Sequence, residues 1–350
     1  MTQEIVFFAT PLESEQVERI RGAVAGRAEI VDDPGLHPPL RYVADHNGRE
    51  DFRRDAAQEA RWRSHLARAT ILWDFPPRDA DGGGGFALAP RVRWVQTTSA
   101  GVGQMVARLG LADSDLVVTT ARGVHADALA EFVFLALLMR SKDLPRLQRD
   151  QRDHRWERYC GGELAGKTLA IVGAGMIGAQ CARVAKAFGM RAIGTLADPS
   201  PARAAALGLD AVCGQGQLHE VLSVADAVVL CTPHTPATER MIDGAAIAAM
   251  KPGATLINIA RGQVVDEPAM IDALRSGRIG FAALDVAAVE PLPAGSPLWD
   301  LENVLISPHS ASTAPSENRK IADIFIHNLG CWLDGRRAEM RNVLDKRRMY

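Results

Sequence analysis

The decapeptide LAIVGAGMIG, Leu169 to Gly178, lies near the middle of a 350-residue chain. Four apolar residues run into a turn whose glycines recur as Gly173, Gly175 and Gly178. In that spacing the first glycine permits a tight turn, the second lets the backbone approach a pyrophosphate, and the third lets the following helix pack on the strand. The amides that open the helix, those of Met176 and Ile177 among them, face the anion and are favoured by the helix dipole. The apolar run from Thr168 before the turn and the amphipathic stretch Ala179 to Phe188 after it supply the strand and helix that a bare glycine pattern lacks. The stretch therefore predicts a dinucleotide-binding unit, and the 168 residues ahead of it need a role of their own.

An acidic residue about 20 positions past the turn ordinarily holds the adenosine ribose. The next strand is expected over Arg191 to Thr195, which leaves Leu196 and Ala197 at its tip and Asp198 just beyond. Asp198 reads equally as that selector and as a turn residue before Pro199. Arg203 reads either as a 2′-phosphate contact or as a solvated helix residue. NAD(H) is favoured on this reading, with NADP(H) open.

A chain of this length favours two domains over one core. Lys and Arg number 40 against 42 Asp and Glu, a net charge of −2 that argues against a nucleic-acid partner, which needs a concentrated basic face. The five cysteines form no CxxC pair, so neither a structural zinc site nor a disulfide framework is expected, and no metal is assigned. The beginning MTQEIVFFAT shows no export leader, and the most apolar stretch, Ala128 to Met139, holds Glu131 and is too short to span a bilayer. A cytoplasmic protein without a membrane partner is expected.

Short apolar runs at Ile5–Ala9, Ile71–Phe75, Val92–Thr97 and Leu116–Thr119 alternate with helix-like segments, the rhythm of an α/β domain. Asp79 to Gly85 reads as a surface loop. A long apolar helix runs from Ala126 to Met139, and a charged, irregular arm spans Arg146 to Glu163. Strands then recur at Thr168, Arg191–Thr195, Ala227–Cys231, Ala254–Asn258, Phe281–Asp285 and Val304–Ser307 with helix-length spacers, which predicts a parallel sheet covered on both faces. Ser316 to Leu333 is again helical. The helix from Ala126 is apolar on more than one face, so a two-fold homodimer through it is expected, with the arm's Trp156 packing at that interface.

Three segments place ionisable residues just past strand ends, where ligands bind in open α/β sheets. They are INIARGQVVDE with Arg261, AALDVAAVEPLP with Asp285 and Glu290, and LISPHSAS with His309. Together they offer an anion clamp, an acid/base and its orienting partner, the parts that hydride transfer to a 2-oxo acid requires. His234 reads as a surface or capping residue.

In this order the motifs resemble the D-isomer-specific 2-hydroxyacid dehydrogenases, and Ser99–Val102 and Ala121–Glu131 are similar to that family's substrate loop and hinge helix. The resemblance implies a Rossmann-type nucleotide domain, residues 124–309, inserted into a discontinuous, flavodoxin-like substrate domain of residues 1–123 and 310–350. It implies that Arg261 holds the substrate carboxylate with the backbone amides of Ala100, Gly101 and Val102, and that His309 exchanges a proton with the carbonyl oxygen while Glu290 orients it. Asp285 is assigned by the same resemblance to the nicotinamide carboxamide, Thr232 and Pro233 to the loop over adenosine, and Ala260 to the cofactor wall. Ala287 and Ala288 stand where the family often carries a bulky aromatic. The partner implied is a small 2-oxo or 2-hydroxy acid.

Two other readings share the fold. A dinucleotide-sensing co-repressor would bind cofactor without turnover. Formate enzymes pair the histidine with glutamine, against Glu290, and the loop Ser99–Val102 disfavours phosphite oxidation. Short-chain reductases are excluded because no tyrosine is followed four residues later by lysine.

Overall fold

The computed structural model describes residues 3–77 and 85–349, so the loop from Asp79 lies outside the described residues up to Gly85. The chain runs β1 (Glu4–Phe8), α1 (Ser14–Val24), β2 (Ala28–Val31), α2 (Ala56–Arg68), β3 (Ile71–Trp73), β4 (Trp94–Gln96), α3 (Gly103–Arg108) and β5 (Val117–Thr119). It continues through α4 (Ala126–Lys142), α5 (Leu144–Arg152), β6 (Thr168–Val172), α6 (Met176–Ala187), β7 (Arg191–Leu196), α7 (Pro201–Ala206) and β8 (Ala211–Gly214). Next come α8 (Leu218–Val224), β9 (Ala227–Leu230), α9 (Gly244–Ala249), β10 (Ala254–Asn258), α10 (Glu267–Arg275), β11 (Ile279–Leu284), β12 (Val304–Ile306) and finally α11 (Glu317–Leu333).

Two units result: Met1–Val124 with Thr313–Tyr350, and His125–Ser312. In the first, five strands pair in the order β2-β1-β3-β4-β5, all parallel, which is the flavodoxin-like doubly wound order. Alternation along β1 splits its side chains between two cores: Val6 and Phe8 pack with Ile321 and Phe325 of α11, and Phe7 packs with Trp62 and Leu66 of α2. Both faces of the sheet are thus covered by helices, as a parallel sheet requires.

The second unit carries seven parallel strands in the order β12-β11-β10-β9-β6-β7-β8, a Rossmann-type arrangement with its topological switch between β6 and β9. Leu169 and Ile171 of β6 point into the core shared with α4 and α6, while Ala170 and Val172 point into the opposite one. Each fully buried Leu or Ile contributes about 1.5–3 kcal/mol, so the strand is held from both sides. The face of α6 that meets the sheet is Cys181, Ala182 and Ala185, small enough for close approach.

Three features differ from the sequence expectation. β2 and β8 were not anticipated; both are four-residue edge strands, half-buried except at Ala28, without a long apolar run. The start of the supposed irregular arm is helical, because Leu144–Arg152 forms α5 behind Pro145 in its first turn, and only the following segment lacks regular structure. α6 begins at Met176, immediately after the glycine turn. Among the described residues no helix is long and apolar enough to cross a membrane.

A Cβ on Gly178 would lie 2.7 Å from Cγ2 of Ile171, a stiff, fully buried side chain. Gly178→Val should therefore destabilise the unit by about 1–3 kcal/mol through overpacking. A lowered urea midpoint at unchanged slope is the expected result.

Candidate active site

Each part of the glycine turn has its physical reason in the structure. Gly173 adopts φ +84°, and a Cβ there would meet the Thr232 backbone at 2.7 Å, so this turn needs glycine. Gly175 faces open space, with none of the described residues within 4 Å of its would-be Cβ, which suits the approach of a phosphate backbone. The hydrogen-bond ladder of α6 starts with Ala179 N to Gly175 O at 2.8 Å, leaving the amides of Met176, Ile177 and Gly178 outside it. A helix start of this kind, twelve residues long and opening at the carboxyl edge of a parallel sheet, fits a pyrophosphate.

Around it, Thr232 is buried and Pro233 is exposed with its carbonyl accepting from Thr238 Oγ1 at 2.7 Å. Leu196 ends β7 with its side chain buried, so no carboxylate stands at the strand tip. Asp198 is exposed in the next turn, where its backbone carbonyl accepts from Arg203 Nη1 at 3.2 Å. His234 pairs with Glu239 inside its own loop.

Strands β10, β11 and β12 lie side by side, and Arg261, Asp285 and His309 each follow one of them. The organiser of this edge is Asp285, only 2% exposed. Its Oδ1 accepts from Ser307 Oγ at 2.7 Å and from the amides of Ser310 and Ala311 at 2.9 Å each. Its carbonyl accepts from His309 N at 2.8 Å. That set of bonds holds His309 in the left-handed region at φ +54°, a conformation that persists only where its surroundings enforce it.

In this orientation His309 Nδ1 lies 2.8 Å from Glu290 Oε2, while Glu290 Oε1 accepts from Ala287 N at 3.1 Å. The Glu290 hydrogen bond raises the His309 pKa against the opposing effect of partial burial. For Glu290, burial works against ionisation, yet the His309 bond, the Ala287 amide and the charges of His309 and Arg261 outweigh it and hold the carboxyl below its usual range.

Arg261 is in electrostatic reach of Glu290 and Asp285; burial lowers its pKa, but a guanidinium keeps its charge at neutral pH. Its Nη1 donates to Ala260 O at 2.6 Å. Asn258, 1% exposed, sets the turn: its Nδ2 donates to Arg261 O and its Oδ1 accepts from Ala260 N, both at 3.0 Å. Gly262 admits no side chain, because a Cβ would lie 1.9 Å from the carbonyl of Ala287. The Ala287–Ala288 loop is clamped in turn by Gln263 Nε2, which donates to Ala288 O at 2.9 Å, and by Glu267 Oε2, which accepts from Ala288 N at 3.0 Å.

The structure thus brings Arg261, Glu290, His309 and Asp285 together. Ala100, Gly101 and Val102 follow β4 in the other unit, with only Val102 buried. Sequence reasoning missed Asn258, Gln263, Glu267 and Ser307, although all four lie inside or beside the quoted motifs. It also gave Asp285 a contact with cofactor and no part in shaping the His309 loop.

Residues 134–311 match the family described as D-isomer specific 2-hydroxyacid dehydrogenase, NAD binding domain. The D-3-phosphoglycerate dehydrogenase of Mycobacterium bovis is 38% identical over 234 residues, which make up 63% of this chain and 43% of that protein, so the match spans less than half of that relative. The glyoxylate reductase of Korarchaeum cryptofilum is 34% identical over 269 residues, 75% of this chain and 78% of that one. The crystal structure of a D-isomer specific 2-hydroxyacid dehydrogenase from Xanthobacter autotrophicus Py2, in complex with NADPH and MES, superposes with a TM-score of 0.76 at 29% identity, covering 100% of both chains.

Replacing Glu290 by Gln removes the anion that supports the imidazolium. The His309 pKa, read by NMR titration of its ring protons, should then fall to or below the ordinary histidine value. An unmoved titration would show that Glu290 does not set it.

Proposed function

The chain belongs to the D-isomer-specific 2-hydroxyacid dehydrogenases, and from that premise we propose that it is an oxidoreductase interconverting a small 2-oxo acid and its 2-hydroxy acid. The observation that carries this reading is the 2.8 Å contact of His309 Nδ1 with Glu290 Oε2, in electrostatic reach of Arg261. A nicotinamide dinucleotide, when bound, supplies or receives the hydride. The amides of Met176 and Ile177, Gly173, Gly175, Gly178, Thr232, Pro233, Leu196, Ala260 and Asp285 are the residues proposed to hold it.

Arg261 pairs with the substrate carboxylate, since its planar fork offers two-point recognition of that group. The backbone amides of Ala100, Gly101 and Val102 are proposed to donate to the same anion. His309 gives a proton from Nε2 to the carbonyl oxygen during reduction and removes it during oxidation. Glu290 keeps the Nδ1 proton in place and stabilises the imidazolium, so it acts through His309.

The charge balance at β7 favours neither dinucleotide strongly. Asp198 would repel a 2′-phosphate and Arg203 would attract one, while Leu196 contributes no charge. NADH and NADPH are therefore both proposed as substrates, with kcat/KM values within about tenfold of each other, or about 1.4 kcal/mol.

A homodimer is also proposed. Leu135 of α4 is 49% exposed and Trp156, beyond α5, is 98% exposed, apolar surface that a second copy would cover. Light scattering should give twice the chain mass, and Leu135→Glu should shift it toward the monomer.

A panel of short 2-oxo acids assayed with NADH and NADPH tests the activity. His309→Ala should lower kcat by about 100-fold or more while NADH still binds. Because His309 must be protonated to reduce, wild-type reduction should be lost as pH rises through its raised pKa, and oxidation should be lost as pH falls through it. Arg261→Lys should mainly raise KM. Tight dinucleotide binding with no turnover of any acid would overturn the enzyme reading in favour of a sensor.

A further inference from the structure

The carboxyl edge of the five-stranded sheet carries a polar arc that the chemistry above does not use. Ala9 N donates to Trp73 O at 2.9 Å and Asp74 N to Gln96 O at 2.7 Å, so the residues following β1, β3 and β4 lie next to one another. Asp74 stands there in the left-handed region at φ +63°. Its Oδ1 accepts from Phe75 N at 2.8 Å, and its Oδ2 accepts from the Thr98 hydroxyl. Burial pushes its pKa up, and His46 is in electrostatic reach of it.

His46 continues the arc, with Nε2 3.1 Å from Glu317 Oε1 at the start of α11. The next residue, Asn318, is 3% exposed and donates from Nδ2 to Glu13 Oε2 at 2.8 Å. Thr10, two residues past the end of β1, is 9% exposed.

The hydrogen-bond account of this arc does not close. Among the described residues Thr10 Oγ1, Asn318 Oδ1 and His46 Nδ1 are buried without a partner, and such groups in native proteins call for a water, an ion or a ligand. Glu317 bonds to His46 and Asp74 lies in its electrostatic reach, so two carboxylates flank one imidazole, and Asn318 Oδ1 is a further acceptor. What completes the set is a donor, and partly buried carboxylates favour a positively charged one. The loop of Ala100, Gly101 and Val102 begins two residues past Thr98 on the same edge.

We infer that this arc receives the positively charged far end of the substrate, a guanidinium or protonated amine on a 2-oxo acid. The inference rests on the reading of this chain as a 2-oxo acid reductase whose amide loop meets the carboxylate end.

The test is steady-state reduction by the full chain of three acids of similar length: 5-guanidino-2-oxopentanoate, neutral 2-oxooctanoate and anionic 2-oxoadipate, with glyoxylate alongside. The cationic acid should exceed the neutral one in kcat/KM by about tenfold or more, and the anionic one should rank last. Asp74→Asn, which keeps size and the Phe75 contact, should bring the cationic-to-neutral ratio close to one. If it fails to fold, judged by NADH binding and a melting curve, Glu317→Gln is read in the same way. A wild-type ratio near one with glyoxylate turned over, or a ratio unchanged by the substitution, overturns this inference and leaves the reductase reading standing. No turnover of any of the four acids overturns both.

Discussion

A single buried carboxylate oxygen, Oδ1 of Asp285, holds the candidate site together. It accepts from one hydroxyl and two amides of the loop after β12, and the neighbouring carbonyl takes the amide of His309 itself. Those four bonds fix a non-glycine residue in a left-handed conformation that an unsupported loop would abandon. The direction of the imidazole, and with it the contact to Glu290, follows from the backbone that Asp285 anchors. A charged carboxylate suits this task, because hydrogen bonds to an ionised acceptor are roughly twice as strong as neutral ones.

The second constraint is steric. The turn carrying Arg261 and the loop carrying Glu290 approach so closely at Gly262 and Ala287 that no Cβ fits between them. Asn258 clamps one side of this contact and Gln263 with Glu267 clamps the other. Parallel strands β10, β11 and β12 deliver the three loops in register, so residues nearly fifty positions apart in sequence meet at one edge of the sheet. The reactive groups can stay partly exposed to a ligand because Asn258 and Asp285 beneath them are buried and hydrogen-bonded.

Much of this was legible in the sequence wherever a pattern is local. The apolar run of β6 and the spacing of Gly173, Gly175 and Gly178 predicted the strand, turn and helix that exist, and the motifs around Arg261, Glu290 and His309 predicted residues that the fold brings together. Edge strands were harder to see: Ala28–Val31 and Ala211–Gly214 are half-buried at every residue but Ala28 and carry no long apolar run. α5 was misread because LPRLQRDQR carries few apolar residues among its charged and polar ones. The resemblance gave Asp285 a ligand, but its part in holding the His309 loop was not legible, because its three donors come from a loop more than twenty residues away. The arc of Thr10, His46, Asp74 and Asn318 was invisible for the same reason, being assembled from four distant segments with no motif in any of them.

Electrostatics gives the site its direction of action. An imidazole beside a guanidinium alone would have its pKa depressed and would make a poor proton donor at neutral pH. Glu290 reverses this: its hydrogen bond to Nδ1 is the largest influence on His309 and outweighs the repulsion from Arg261. Arg261 in turn helps keep Glu290 ionised, despite the burial that disfavours it. The charges of His309 and Arg261 are therefore both supported by Glu290, and adding a substrate carboxylate beside Arg261 removes part of the repulsion on His309. Binding the anion should by itself make the imidazolium easier to hold, so the proton is most secure when an acceptor carbonyl arrives with it.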